Sequence, residues 1–276
     1  MNGKQVIKNR IITAMITRKL VFIVIPATFL MISFLHSCSS STSVSNKKTA
    51  INFSADTSVT DIEGYLYVIE NTDEDKNRTT IPTISRFRPD GNLEWKVEYD
   101  NSSVKVTGVL ITLDELNRPW AVFHVNGDSG SSNYIRVKHV SENAFKNVYQ
   151  PLYGTGGETN ISLIARINSS NGIIEKATFL SSQLSNGNSN TLEVLAVGVN
   201  RRTVHVQAES AFTPPYPGSS YVPHPHATHL RDCNFFPIQI GLDIDLNFIK
   251  TSKVFTMKQL LDEPYSAWYP SCERRY

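Results

Sequence analysis

Residues 214–233 read PPYPGSSYVPHPHATHLRDC and hold a dense group of chemically capable side chains. His224, His226 and His229 stand as H-x-H-x-x-H, with Asp232 and Cys233 just beyond. Imidazoles so closely spaced can share one cation of intermediate softness, so the stretch is a candidate Zn²⁺ or Cu²⁺ site. Pro214, Pro215, Pro217, Pro223 and Pro225 hold the same backbone extended at little entropic cost, with Tyr216 and Tyr221 among them. A rigid loop of that kind is equally a contact surface for a partner. Asp243 and Asp245 form a second paired feature. On a strand they would face one side, as two glycosidase carboxylates do; at a turn their task is to accept backbone hydrogen bonds. The aromatics Trp95, Trp120, Tyr265, Trp268 and Tyr269 offer a platform for a sugar or a peptide, with Trp268 and Tyr269 in the C-terminal tail the better candidates for contact. Trp95 and Trp120 are explained as well by core packing. No serine lies in a nucleophile elbow, and no Cys/His pair has a plausible third member.

These residues need a compartment and a scaffold. The first 37 residues carry Lys4, Lys8, Arg10, Arg18 and Lys19, no acidic residue, and an apolar run from Leu20 to Leu35. A basic start, a short apolar segment and a small residue before a cut make a secretory signal, and the run falls short of the roughly 20 residues that span a bilayer. Leu35-His36-Ser37-Cys38 resembles the lipobox of bacterial lipoproteins, with His36 where a small or aliphatic residue is usual. The resemblance implies cleavage before Cys38 and acylation of that cysteine, giving an anchor in the bacterial cell envelope. Ser39 at the next position implies the outer membrane. On this reading residues 1–37 are a signal peptide and 38–58 a lipidated cysteine with a Ser-rich tether. The formal charge of the whole chain is +2; without the five leader cations, 22 basic residues face 25 acidic ones, a net −3. The folded part therefore carries no basic excess of the kind that nucleic-acid binding needs. Cys233 and Cys272 remain, and in an oxidising space they pair or stay as buried thiols.

From about residue 60 the chain reads as strand after strand, rich in Val, Ile, Thr, Tyr and Phe and punctuated by Asn, Asp, Gly and Ser. A helical period is confined to residues 256–263, which give at most two turns before Pro264. ISRFRPDGNLEWKVEY (84–99), IRVKHVSENAFKNVY (135–149), LIARINSSNGIIEKATFL (163–180) and IQIGLDIDLNFIKTSKVF (238–255) share one plan of strand, tight polar turn and strand. GVLITLDELNRPWAVFHV (108–125) and EVLAVGVNRRTVHVQAES (193–210) follow a second, with GYLYVIE (64–70) as a partial copy. Asp-Gly and Asn-Gly at 90–91 and 171–172 are hairpin signals because both residues tolerate φ > 0. Two hairpins in succession make a four-stranded unit. The arrangement resembles β-propeller repeats, and Asp90-Gly91-Asn92-Leu93-Glu94-Trp95 is its best local match. The resemblance implies an all-β domain over 59–276 built as a propeller-like array of blades. The alternatives are a β-sandwich or a partial propeller completed by another chain.

The expected function is a membrane-tethered lipoprotein whose all-β domain binds or scaffolds without catalysis, contacting another envelope protein or a glycan. The alternative is a metal-dependent hydrolase or metal-binding protein using His224, His226 and His229. That cluster resembles the H-x-H-x-D-H motif of metallo-β-lactamase-like hydrolases, although Thr228 stands where that family has Asp, and the helical layers of that fold have no counterpart in this sequence.

Overall fold

The computed structural model describes residues 51–74, 79–99, 106–127, 139–153, 159–225 and 235–255. Among the described residues the protein is all β, without a helix. The strands fall into three consecutive four-stranded meanders. The first is β1 (Ser58–Thr60), β2 (Leu66–Glu74), β3 (Thr79–Phe87) and β4 (Leu93–Glu98), paired antiparallel in chain order. The second is β5 (Val106–Leu113), β6 (Pro119–Gly127), β7 (Thr159–Ile167) and β8 (Ile174–Leu180), again antiparallel. A small hairpin of β9 (Ser182–Gln183) and β10 (Ser189–Asn190) leads to the third, β11 (Leu192–Val199), β12 (Thr203–Ser210), β13 (Phe236–Asp243) and β14 (Ile249–Val254). A single parallel bridge, Leu192 to Ile161, joins the second and third meanders into one eight-stranded sheet. A closed ring is not seen among the described residues.

Side-chain alternation stacks the meanders face to face. On β6, Ala121, Phe123 and Val125 point one way and Trp120 and Val122 the other. The first set packs with Tyr67, Ile69, Ile84 and Val97 of the first meander. The second packs with Val194, Val206, Ile238 and Leu242 of the third. A sheet buried on both faces must be apolar on both, which explains why β6 and β7 read as nearly continuous apolar runs rather than as alternating ones.

Polar groups tie the seams. At the first, Trp95 Nε1 donates to the Ser169 carbonyl at 2.9 Å and Tyr99 Oη to the Gly172 carbonyl at 2.6 Å. The Asn71 side chain donates to and accepts from the Gly108 backbone. At the second, Ser162 Oγ donates to the Leu192 carbonyl and accepts from the Val194 N–H, both at 2.8 Å.

Four of the expected hairpins form where they were read, as β3–β4, β5–β6, β7–β8 and β11–β12, and β13–β14 makes a fifth. In the segment 135–149 the described residues, 139–149, do not form the expected second strand. They make successive turns, with Asn147 at φ 52°. The backbone from 139 to 150 bonds to the free edge of β8: Ser141 N–H to Ile174 O, Ala177 N–H to Ala144 O and Phe179 N–H to Gln150 O. Ala144, Phe145, Val148 and Tyr149 are spaced to cover the packed meanders from one side, and that demand overrides the weak strand alternation. The tether boundary also moves. Residues 51–57, read as tether, belong to the fold: Ser54 bridges Val197 of β11 in both directions, and the Asp56 carbonyl accepts from Ile111 of β5. The short helix expected at 256–263 lies outside the described residues.

Candidate functional site

In each meander the turns after the first and third strands lie at one end, and contacts between meanders gather these ends into a single rim. Arg201 in the β11–β12 turn pairs with Glu115 in the β5–β6 turn at 2.9 Å. Within the third meander, Lys250 and Ile244 of the β13–β14 hairpin donate to the Arg202 carbonyl. The contact of Trp95 with Ser169 joins the β3–β4 and β7–β8 hairpins.

Three rim turns share one construction. Asp61 accepts the N–H groups of Glu63 and Tyr65 on Oδ1, and the Asp61 carbonyl accepts from Gly64. Asp114 does the same for Leu116, Arg118 and Asn117. Asp243 accepts Asn247 and Phe248 on Oδ1 and Asp245 on Oδ2, and its carbonyl accepts from Leu246. In all three, the third residue after the aspartate takes a positive φ: Gly64 at 88°, Asn117 at 58°, Leu246 at 60°. Two of these positions hold residues suited to that region. Leu246 is not, and its strain is offset by complete burial in the core. All three aspartates are buried. A carboxylate so placed is an acceptor that fixes a turn, since each clamped N–H would otherwise lack a partner.

Asp243 is therefore a turn clamp, and the pairing with Asp245 does not hold. The chain leaves strand geometry after Asp243, so Asp243 is buried while Asp245 is exposed and 3.9 Å from Arg166. Asp114 is the most heavily used clamp: its Oδ2 also accepts from Arg118 Nε at 2.6 Å and from Trp120 Nε1 at 3.1 Å. Trp120 is fully buried, and the Arg166 guanidinium lies 5.9 Å from its ring. Trp95 packs edge-on against Tyr67. Both tryptophans are thus packing residues and not an exposed platform.

Within the rim an open cleft of about 710 Å³ is lined by residues 51–54, 112–115 and 199–203. Its walls are the first-strand ends of the second and third meanders, and its floor is the segment by which the chain enters the fold.

The Pro-rich loop lies elsewhere, along the outer edge of β14. Gly218 and Ile249 exchange backbone hydrogen bonds, and Ser252 Oγ donates to the Pro215 carbonyl at 2.7 Å. The loop folds on itself through a Pro215 to Pro223 bridge and a Tyr216 N–H to Val222 O bond. Tyr221 Oη donates to the Thr213 carbonyl at 2.8 Å, and burial pushes its phenol above the ordinary pKa. Tyr216 is partly exposed, its ring edge-on to that of His224. His224 is buried, and its N–H donates to the Pro214 carbonyl. His226, His229 and Cys233 lie outside the described residues, as do Cys38, Cys272, Trp268 and Tyr269. Among the described residues, no group of three or more His, Cys, Asp or Glu side chains is placed to hold a metal ion.

One polar cluster had no sequence signal. At the opposite end of the second seam, His124 Nε2 lies 3.3 Å from the Val194 carbonyl, and Asn160 Nδ2 donates to Glu193 Oε1 at 2.5 Å. Burial pushes the His124 imidazole below its ordinary pKa, against the opposing pull of Glu193. These residues come from three strands and sit more than 30 positions apart, so no local pattern could have joined them.

No protein-family model matches the chain, and no curated protein matches it in sequence.

Proposed function

We propose that the chain is a lipid-anchored protein of the bacterial cell envelope, held by acylated Cys38, whose β domain is a propeller-like scaffold that binds another envelope protein or a glycan. The observation that carries the reading is the fixed rim. The three buried carboxylates of the rim, Asp61, Asp114 and Asp243, are committed to backbone N–H groups. They hold the turns still, as a rigid scaffold requires. Three consecutive four-stranded meanders stacked face to face support the propeller-like part of the reading, since radial blades stack in that manner. Outer strands are shielded as such an array demands. Residues 139–150 line β8 and the Pro-rich loop lines β14, while β4 carries exposed Lys96 and Glu98, charges that discourage edge pairing.

Metabolic labelling with an alkyne fatty acid tests the anchor. Wild type takes the label and Cys38→Ser does not; label on both, or on neither, contradicts the reading. Metal analysis of the purified mature protein addresses the alternative function. Stoichiometric zinc or copper that is lost in His226→Ala would replace the scaffold reading with a metal site.

A further inference from the structure

We propose that the rim is a membrane-docking face, its turn tips resting in the interfacial region of the lipid surface that anchors the chain. The inference deepens the lipid-anchor reading and rests on it for orientation. Eight large apolar side chains are exposed among the described residues, and four of them sit on or beside rim turns: Ile62 at 85% exposure, Leu116 at 59%, Leu93 at 52% and Phe248 at 41%. Single exposed apolar residues mean little, but here four of them gather at one end of the fold, on different hairpins. Ile62, Leu116 and Phe248 each belong to an aspartate-clamped turn, so their outward presentation is built into the backbone.

The path of the chain selects lipid as the occupant. Ser54 runs antiparallel to β11 at Val197, and Asn52 packs on Gly198, so the described chain begins, at Ile51, on the rim. Only 12 residues, 39–50, separate Cys38 from Ile51. A polar chain of that length spans on the order of 20 Å, so the lipid-anchor reading ties the acylated cysteine by a short linker to Ile51, the rim residue at which the described chain begins. The rim's exposed charges balance: Arg88, Arg201, Arg202 and Lys250 stand against Glu63, Asp90, Glu115 and Asp245. Docking is therefore driven by apolar insertion and is indifferent to anionic lipid, unlike that of a polybasic surface.

The membrane-extracted full chain, reconstituted in neutral phosphatidylcholine vesicles, is oxidised with hydroxyl radicals. Peptides containing Ile62, Leu116 and Phe248 are compared with one containing Phe212, which lies at the opposite end with the same 41% exposure as Phe248. Each is normalised to the denatured chain, and the intact mass of the same sample reads the state of Cys38. Rim peptides oxidised about threefold less than the Phe212 peptide, equally with and without anionic lipid, are the expected result. Ile62→Asp with Leu116→Asp should remove the protection at Phe248 while leaving the protein anchored. An anchored protein whose rim is oxidised like Phe212 overturns docking and leaves the anchor reading intact. Rim protection with Cys38 unmodified supports docking and overturns the anchor. Protection seen in native membranes but absent in vesicles, or only with anionic lipid, overturns the proposal in favour of a protein partner or an electrostatic surface.

Discussion

Gly172→Ala should destabilise the protein by roughly 2–5 kcal/mol, because two separate costs meet at that turn. Gly172 has φ +75°, where an L side chain costs roughly 1–2 kcal/mol. A Cβ there would also lie 2.6 Å from Val97 Cγ2 and 2.9 Å from Trp95 Cζ3, across the seam between the first two meanders. Overpacking of that kind costs roughly 1–3 kcal/mol more. Gly91→Ala is the internal control: its φ is +83°, but nothing lies within 4 Å of an added Cβ, so only the backbone cost of about 1–2 kcal/mol applies. Equilibrium urea unfolding of both variants measures the difference directly. A second step isolates the contact. In a Val97→Ala background the Gly172→Ala penalty should shrink, since the nearest obstructing atom is gone. Equal penalties for the two glycines, together with no coupling to Val97, would refute the face-to-face packing of the two meanders through this turn.

Ser162→Ala should cost roughly 2–4 kcal/mol in thermal or urea unfolding, because it strands a buried carbonyl and a buried N–H at the second seam. Asp114→Ala should cost a similar roughly 2–4 kcal/mol, through four lost hydrogen bonds and an unpartnered Trp120 indole; a change below about 0.5 kcal/mol, the ordinary surface range, would remove the clamp from the account. Burial depresses the pKa of His124, and burial assisted by Lys250 depresses that of His205, both from an ordinary 6.5. The unfolded chain then takes up these protons first, so the stability they contribute is complete above about pH 6.5 and declines as the pH falls below it. The slope is at most about 1.4 kcal/mol per pH unit per histidine. Urea midpoints between pH 7.5 and 5.5 should fall for wild type and fall less for His124→Gln; an identical slope in the variant contradicts the burial argument. If Cys233 and Cys272 pair, thiol alkylation of the unfolded, unreduced chain leaves both unmodified; modification of both rejects the disulfide.

The strands of the fold were legible wherever local alternation and a turn signal coincided. LIARINSSNGIIEKATFL carries both, with Gly172 at the positive φ that its Asn-Gly pair suggests. Residues 139–149 were misread because their apolar residues answer to packing against β8 and the third meander, which no local period encodes. The clamped turns were half visible. Asp243 was recognised as a possible turn residue, yet its equivalence to Asp61 and Asp114 was hidden, because the residue at positive φ is Gly in one turn, Asn in another and Leu in the third. Ser162 and the cluster of His124, Asn160 and Glu193 join strands far apart in sequence, so pairing alone creates them. The prolines of residues 214–225 suggest an extended backbone, but no local pattern shows that the loop folds on itself and lies along β14.

The most direct test of the account is the intact mass of the protein extracted from membranes. The account predicts a mature chain that begins at Cys38 and carries acyl chains, with both features lost in Cys38→Ser. A full-length mass, or a chain cut elsewhere and free of lipid, would contradict it.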